Sequence, residues 1–171
     1  MKSLAAQIIA VLLLFSFFMP CTLQAESPKS HVKKGEAYYE LARFSEAVAE
    51  FDLALAADVN YQKAWYARGK AYFEQKKYRE AIADYSRAIE LRKDCARAFY
   101  HRGKAYAALK DYRLALADLD RAIEIRSGYD KAWYARGLAR EEMNDRNGAI
   151  ADMRRAAELG NRKAGEWLAG K

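Results

Sequence analysis

A chain of 171 residues holds one domain's worth of material, and 52% hydrophobic with 31% charged residues is an ordinary balance for a soluble protein. Composition therefore decides little about class. The net charge of +7 favours anionic partners, whether acidic peptides, phospholipid head groups or nucleic acid.

The N-terminus is a separate object. Met1, Lys2 and Ser3 open it with positive charge, residues 4–19 are nearly all apolar, and Leu23, Gln24 and Ala25 end on a small residue. This pattern predicts a secretory signal peptide over residues 1–25, cut after Ala25. The apolar run of 16 residues is shorter than the roughly 20 that a spanning helix needs, so a retained membrane anchor is the secondary reading. Export to the periplasm or the exterior is expected, and it removes nucleic acid from the set of partners. Cys21 leaves with the signal, and Cys95 is then a lone thiol in an oxidising compartment, free or paired with another chain.

Residues 26–29, with Pro28, read as a linker. Beyond them the chain keeps strict time. Gly35, Gly69, Gly103 and Gly137 are each 34 residues apart, as are Ala47, Ala81, Ala115 and Ala149, and Ala54, Ala88, Ala122 and Ala156. A fixed period of this length marks a stacked-repeat protein. The units are residues 28–61, 62–95, 96–129 and 130–163, each expected to be two antiparallel helices. In the second unit the helices should span about residues 61–75 and 79–91, with Ala64, Trp65, Gly69, Ala71 and Tyr72 on one broad packing face. Gly69, lacking a Cβ, should let the partner helix approach closely.

In a frame of 34 positions, the second unit carries Trp65 at position 4, Gly69 at 8, Tyr72 at 11, Ala81 at 20, Tyr85 at 24 and Ala88 at 27. These residues resemble the tetratricopeptide repeat, and the resemblance runs over residues 28–163 without insertion. It implies an all-α superhelix, a solenoid of four helix-turn-helix repeats. One departure is uniform: Val59, Lys93, Ser127 and Asn161 stand where the family often has proline, which leaves the stiffness of the inter-repeat turns to other contacts.

The first repeat is atypical, as an end cap should be, with His31 and Val32 where later units are aromatic. His31 has no second ligand at helical spacing, so no metal is expected. Lys34, Arg68, Arg102 and Arg136 at position 7 are matched by Glu50, Asp84, Asp118 and Asp152 at position 23, which predicts an ion pair across each hairpin. If partly exposed, each such pair is worth about 0–1 kcal/mol and sets register more than stability. Arg140 and Arg146 replace aromatics in the fourth repeat, and residues 162–169, with Trp167, read as a short extra helix in a C-terminal cap over residues 164–171.

No catalytic constellation is present: His31 and His101 stand 70 residues apart, and there is no Gly-rich phosphate loop or paired-cysteine metal motif. The chain is therefore expected to be neither an enzyme nor a cofactor carrier. Positions 2, 5, 6, 9, 12 and 13 of the first helices face away from the packing stripe and should line a trough. The candidate partner-binding residues there are Lys63, Tyr66, Lys70, Phe73, Arg97, Tyr100, His101, Lys104, Lys131 and Tyr134. Tyrosines beside cations suit a protein or peptide partner, acidic or aromatic in character. Chaperone-binding members of the family grip a C-terminal carboxylate with Lys and Asn at positions 5 and 9, Asn at 6, and Lys and Arg at 2 and 6. That clamp is absent here. The alternatives to an interaction module are a self-associating or envelope-tethering structural protein, and a binder of an anionic polymer or membrane surface.

Overall fold

Small residues spaced for close contact dictate helical hairpins, and hairpins are what the computed structural model shows over residues 26–170, the residues it describes. The expected signal peptide, its cleavage site and Cys21 lie outside these residues, as does Lys171 at the end of the expected cap. Among the described residues the helices are α1 Pro28–Glu40, α2 Phe44–Ala57, α3 Gln62–Glu74, α4 Tyr78–Leu91, α5 Ala96–Ala108, α6 Tyr112–Ile125, α7 Asp130–Glu142, α8 Arg146–Glu158 and α9 Arg162–Ala169. No strand accompanies them, and no helix among them is long and apolar enough to cross a membrane.

α1 begins at Pro28, where a fixed φ and a missing N–H suit the first helical turn. Residues 28 and 29, expected as linker, therefore belong to this helix, and Ser27 caps it by accepting from the Ser30 N–H. Each odd-numbered helix from α1 to α7 pairs with the even-numbered helix that follows. The odd-numbered helices also touch one another along the stack, and the even-numbered ones do not do so to the same degree, so the stack curves with α1, α3, α5 and α7 inside.

The hairpins close at the position 8 glycines. A Cβ built on Gly69 would lie 2.8 Å from the ring of Tyr85, and one on Gly35 would meet the ring of Phe51. Gly103 and Gly137 meet Leu119 and Met153 in the same way. Phe51, Tyr85, Leu119 and Met153 all occupy position 24 and are fully buried. The apolar interior runs along the stack as successive clusters: Val32, Phe51 and Leu55, then Tyr100, Leu119, Ile123 and Tyr129, then Met153 and Ala164. Each unit is thereby stabilised by its neighbours.

The missing prolines have a substitute in two of the turns. The Trp65 indole N–H donates to the Val59 carbonyl at 2.7 Å, and Trp133 donates to Ser127 at 2.8 Å, tying the turn to the helix that follows. Phe99 has no such donor, and there Cys95 stands at the N-cap of α5 as a buried residue of the repeat junction. Within each hairpin the turn carries a left-handed residue: Ala42, Lys76, Lys110 and Asn144 have φ between 56° and 65°. Only Asn144 is of a type that signals this conformation. At the far end, Asn161 caps α9 by accepting from the Ala164 N–H and donates to Asp130 at 3.0 Å.

The glycines separate packing from propensity. Gly69→Val places its Cβ against the buried Tyr85 ring and should lower stability by about 1–3 kcal/mol through overpacking. Gly165, in α9, has open space where its Cβ would be. Gly165→Ala should raise stability by about 0.5–1 kcal/mol through reduced backbone entropy loss. Urea unfolding followed by circular dichroism checks both signs.

Candidate functional site

The inner face is held in register by partly buried arginines paired with buried aspartates. Arg68 donates to Asp84 through Nε at 2.8 Å and Nη2 at 2.7 Å. Arg102 grips Asp118 at 2.7 and 2.8 Å, and Arg136 grips Asp152 at 2.9 and 2.6 Å. Each also reaches the second helix of the preceding repeat: Arg68 to Asp52 at 2.5 Å, Arg102 to Ser86 at 2.9 Å, Arg136 to Asp120 at 2.6 Å. This second reach was not apparent from the match of positions 7 and 23 alone.

The condition of partial exposure is not met by the carboxylates, since Asp84, Asp118 and Asp152 are only 3%, 6% and 1% exposed. Burial pushes the Asp84 carboxyl upward in pKa, against the opposing pull of Arg68. In the first repeat the expected hairpin pair is replaced. Lys34 bonds Glu26 at 2.6 Å, while Glu50 lies 2.8 Å from His31 Nδ1. Lysine lacks the planar fork that lets arginine span two carboxylates at once.

Two cavities open on the inner face. The smaller, about 510 Å³, is lined by Lys63, Tyr66, Lys70 and Arg97 together with Glu36, Tyr39 and Cys95. The larger, about 830 Å³, is lined by Tyr100, Lys104, Lys131 and Tyr134, with Leu138, Asp130, Glu142, Arg162 and Lys163. Eight of the ten candidate residues thus line one cavity or the other. Phe73 and His101 line neither. The His101 ring touches Tyr66 on one side and Tyr100 on the other, at centroid distances of 5.6 and 4.9 Å, with Tyr85 behind it at 5.8 Å. Phe73 packs edge-on against Tyr78 and carries the Lys104 ammonium 4.8 Å above its ring.

The row of equal, open tyrosines is therefore not what forms. Tyr100 is 9% exposed and leans on Tyr129 at 5.0 Å, so it is wall more than contact surface, while Tyr66 and Tyr134 remain half-buried. Burial raises the phenol pKa of both Tyr66 and Tyr100 to about 12, so they stay neutral donors. His101 is also not an open contact. Burial first, and then the charges of Lys104, Lys70, Arg97 and Lys131, lower its pKa to about 3 and keep the imidazole neutral.

Two of the glutamates of position 13, Glu74 and Glu142, have partners on this face. Tyr39 donates its hydroxyl to Glu74 at 3.3 Å, and Tyr112 donates to Glu142 at 3.1 Å. Tyr112, Arg162 and Lys163 were missed as lining residues because they lie outside the first-helix pattern: one begins a second helix and two belong to the cap.

Tetratricopeptide repeat models match residues 28–60 and 130–159 and residues 96–129, and a TPR repeat model matches residues 69–110. No curated protein sequence matches the chain. Among solved structures, a crystal structure of MamA superposes with a TM-score of 0.74 at 26% identity, covering 81% of each chain. MamA residues 41 to the end from Desulfovibrio magneticus RS-1 give 0.74 at 22% identity, covering 80% of this chain and 76% of that one. The first TPR of Spaghetti (RPAP3), bound to the HSP90 peptide SRMEEVD, gives 0.68 at 22% identity, covering 72% and 98%.

Asp118→Ala leaves the largely buried Arg102 without its carboxylate and should cost about 3–5 kcal/mol. Asp120→Ala removes a half-exposed partner of Arg136 and should cost under about 1 kcal/mol; denaturant unfolding compares the two. His101 adds a pH dependence. Its folded pKa of about 3 lies below the ordinary 6.5, so its contribution is complete above 6.5 and is lost as pH falls toward 3. Unfolding measured at about pH 7 and about pH 4.5 should show a smaller acid loss in His101→Phe than in the wild type.

Proposed function

The chain belongs to the tetratricopeptide repeat family, and on that premise we propose that it is a non-catalytic interaction module holding a segment of a protein partner along its inner face. The observation that carries this reading is the pair of cavities between α1, α3, α5, α7 and α9, walled by aromatic side chains and rimmed by cations. A half-buried tyrosine offers rigid area with a polar tip, at low entropic loss on binding. The RPAP3 domain, of the same fold, is bound to a seven-residue peptide, which supports the capacity of this architecture to hold a short peptide segment. The N-terminal sequence supports the further proposal that the module works after export, in the periplasm or outside the cell.

Tyr66 and Tyr134 are the side chains to change, since Tyr100 contributes to the interior. A displayed library of random dodecapeptides should yield binders to the wild type whose affinity falls about tenfold or more for Tyr66→Ala/Tyr134→Ala, on the scale of two interface anchors, with helix content unchanged. Binders indifferent to both substitutions would place recognition elsewhere.

A further inference from the structure

The two cavities differ in how their charges are satisfied. In the smaller one, Lys63 pairs with Glu36 at 3.1 Å, the Lys70 ammonium sits 4.1 Å above the Tyr39 ring, and the Arg97 guanidinium faces Tyr66 at 5.7 Å. In the larger one, the Lys104 ammonium lies 4.8 Å over the Phe73 ring and 5.7 Å over the Tyr100 ring, and among the described residues no carboxylate pairs with Lys104, Lys131 or Lys163. The two carboxylates on its wall are already engaged, Asp130 by the Asn161 amide and Glu142 by the Tyr112 hydroxyl. Arg162, the fourth cation at its edge, is paired with Glu166 at 3.3 Å.

Lys104 records the consequence. Its ammonium is half-buried, and burial, followed by the like charges of Lys163 and Lys131 against the opposing Glu74, lowers its pKa. Lys131 and Lys163 stand in the first turns of α7 and α9, where positive charge opposes the helix dipole and an arriving anion is favoured. Beyond the contact of Lys104 with the Phe73 and Tyr100 rings, folding gains nothing from three ammonium groups around one cavity, whereas an anion entering it would relieve their repulsion. The charges come from three helices and converge on a wall that includes Tyr134, Ala135 and Leu138. Spread charge beside apolar surface fits several carboxylates along a polypeptide better than one compact dianion.

We propose that the larger cavity is an acidic-peptide pocket: it takes Asp or Glu side chains from within a partner segment at Lys104, Lys131 and Lys163, with an apolar residue of that segment against Tyr134 and Leu138. This rests on the inner-face reading above and adds to it the partner's chemistry and the end of the stack that reads it.

The test is selection from a random dodecapeptide library by the purified wild type, by Lys131→Glu/Lys163→Glu and by Lys63→Glu. Glutamate suits a first helical turn, so the double charge reversal should fold. Wild-type binders should be enriched in Asp and Glu, bind the double variant about tenfold or more weakly, as expected for loss of close charge pairs, and be unaffected by Lys63→Glu. Synthetic binders should keep their affinity when the C-terminus is amidated and lose it when Glu and Asp become Gln and Asn. Binders without acidic enrichment, but sensitive to Tyr66→Ala/Tyr134→Ala, would overturn the pocket and leave the inner-face reading standing. Equal affinity in the double variant, or loss on amidation alone, would also overturn the pocket. So would displacement by inorganic phosphate or phosphatidylserine vesicles that bind without peptide. Failure to select any binder would overturn both readings.

Discussion

Close approach of two helices is the constraint on which everything else depends. Glycine at position 8 and alanine at positions 20 and 27 bring each hairpin together, and the position 24 side chain fills the remaining space beneath the glycine. Phe51, Tyr85, Leu119 and Met153 differ in size, and the glycine contact tightens or relaxes accordingly, from well under 3 Å at Phe51 to 3.0 Å at Leu119 and Met153. Because the interior is built hairpin by hairpin, no single centre has to form, and the outer surfaces of the inner helices are left available.

Arginine then links one hairpin to the next. A guanidinium can hold a carboxylate of its own repeat with two donors and still spare one for the repeat before it, as Arg68 and Arg136 do. With the carboxylate buried, such a link acts less as surface decoration than as a register pin, since a shifted stack would strand a charge away from water. Lys34 cannot act in this way, and the first repeat instead holds Glu50 with His31.

The inner face inherits its character from this geometry. Curvature brings side chains from successive repeats together, and the neutral His101 ring fills the gap between the two tyrosine neighbourhoods. The result is two cavities of unlike charge balance: a lysine paired with Glu36 toward one end, and three lysines with no paired carboxylate among the described residues, one of them over aromatic rings, toward the other. A site of this kind supports recognition by distributed contacts and does not require a reactive group.

The amino-acid sequence by itself determined the repeat, the hairpins and the face each helix buries, because these depend on local periodicity: a glycine every 34 residues and an arginine opposite an aspartate are visible without coordinates. It also nominated Lys63, Lys104 and Tyr134 as outward-facing, since a helix wheel needs only one helix. Tertiary structure alone decided which outward side chains stay open. Tyr100 is covered by Tyr129 at the junction before α7, and the half-buried His101 ring is flanked by tyrosines from α3, α4 and α5. The larger cavity is bounded at one end by Arg162 and Lys163 of the cap. Burial at those points is set jointly by several helices and by residues outside the repeated face, and no single-helix pattern contains that information.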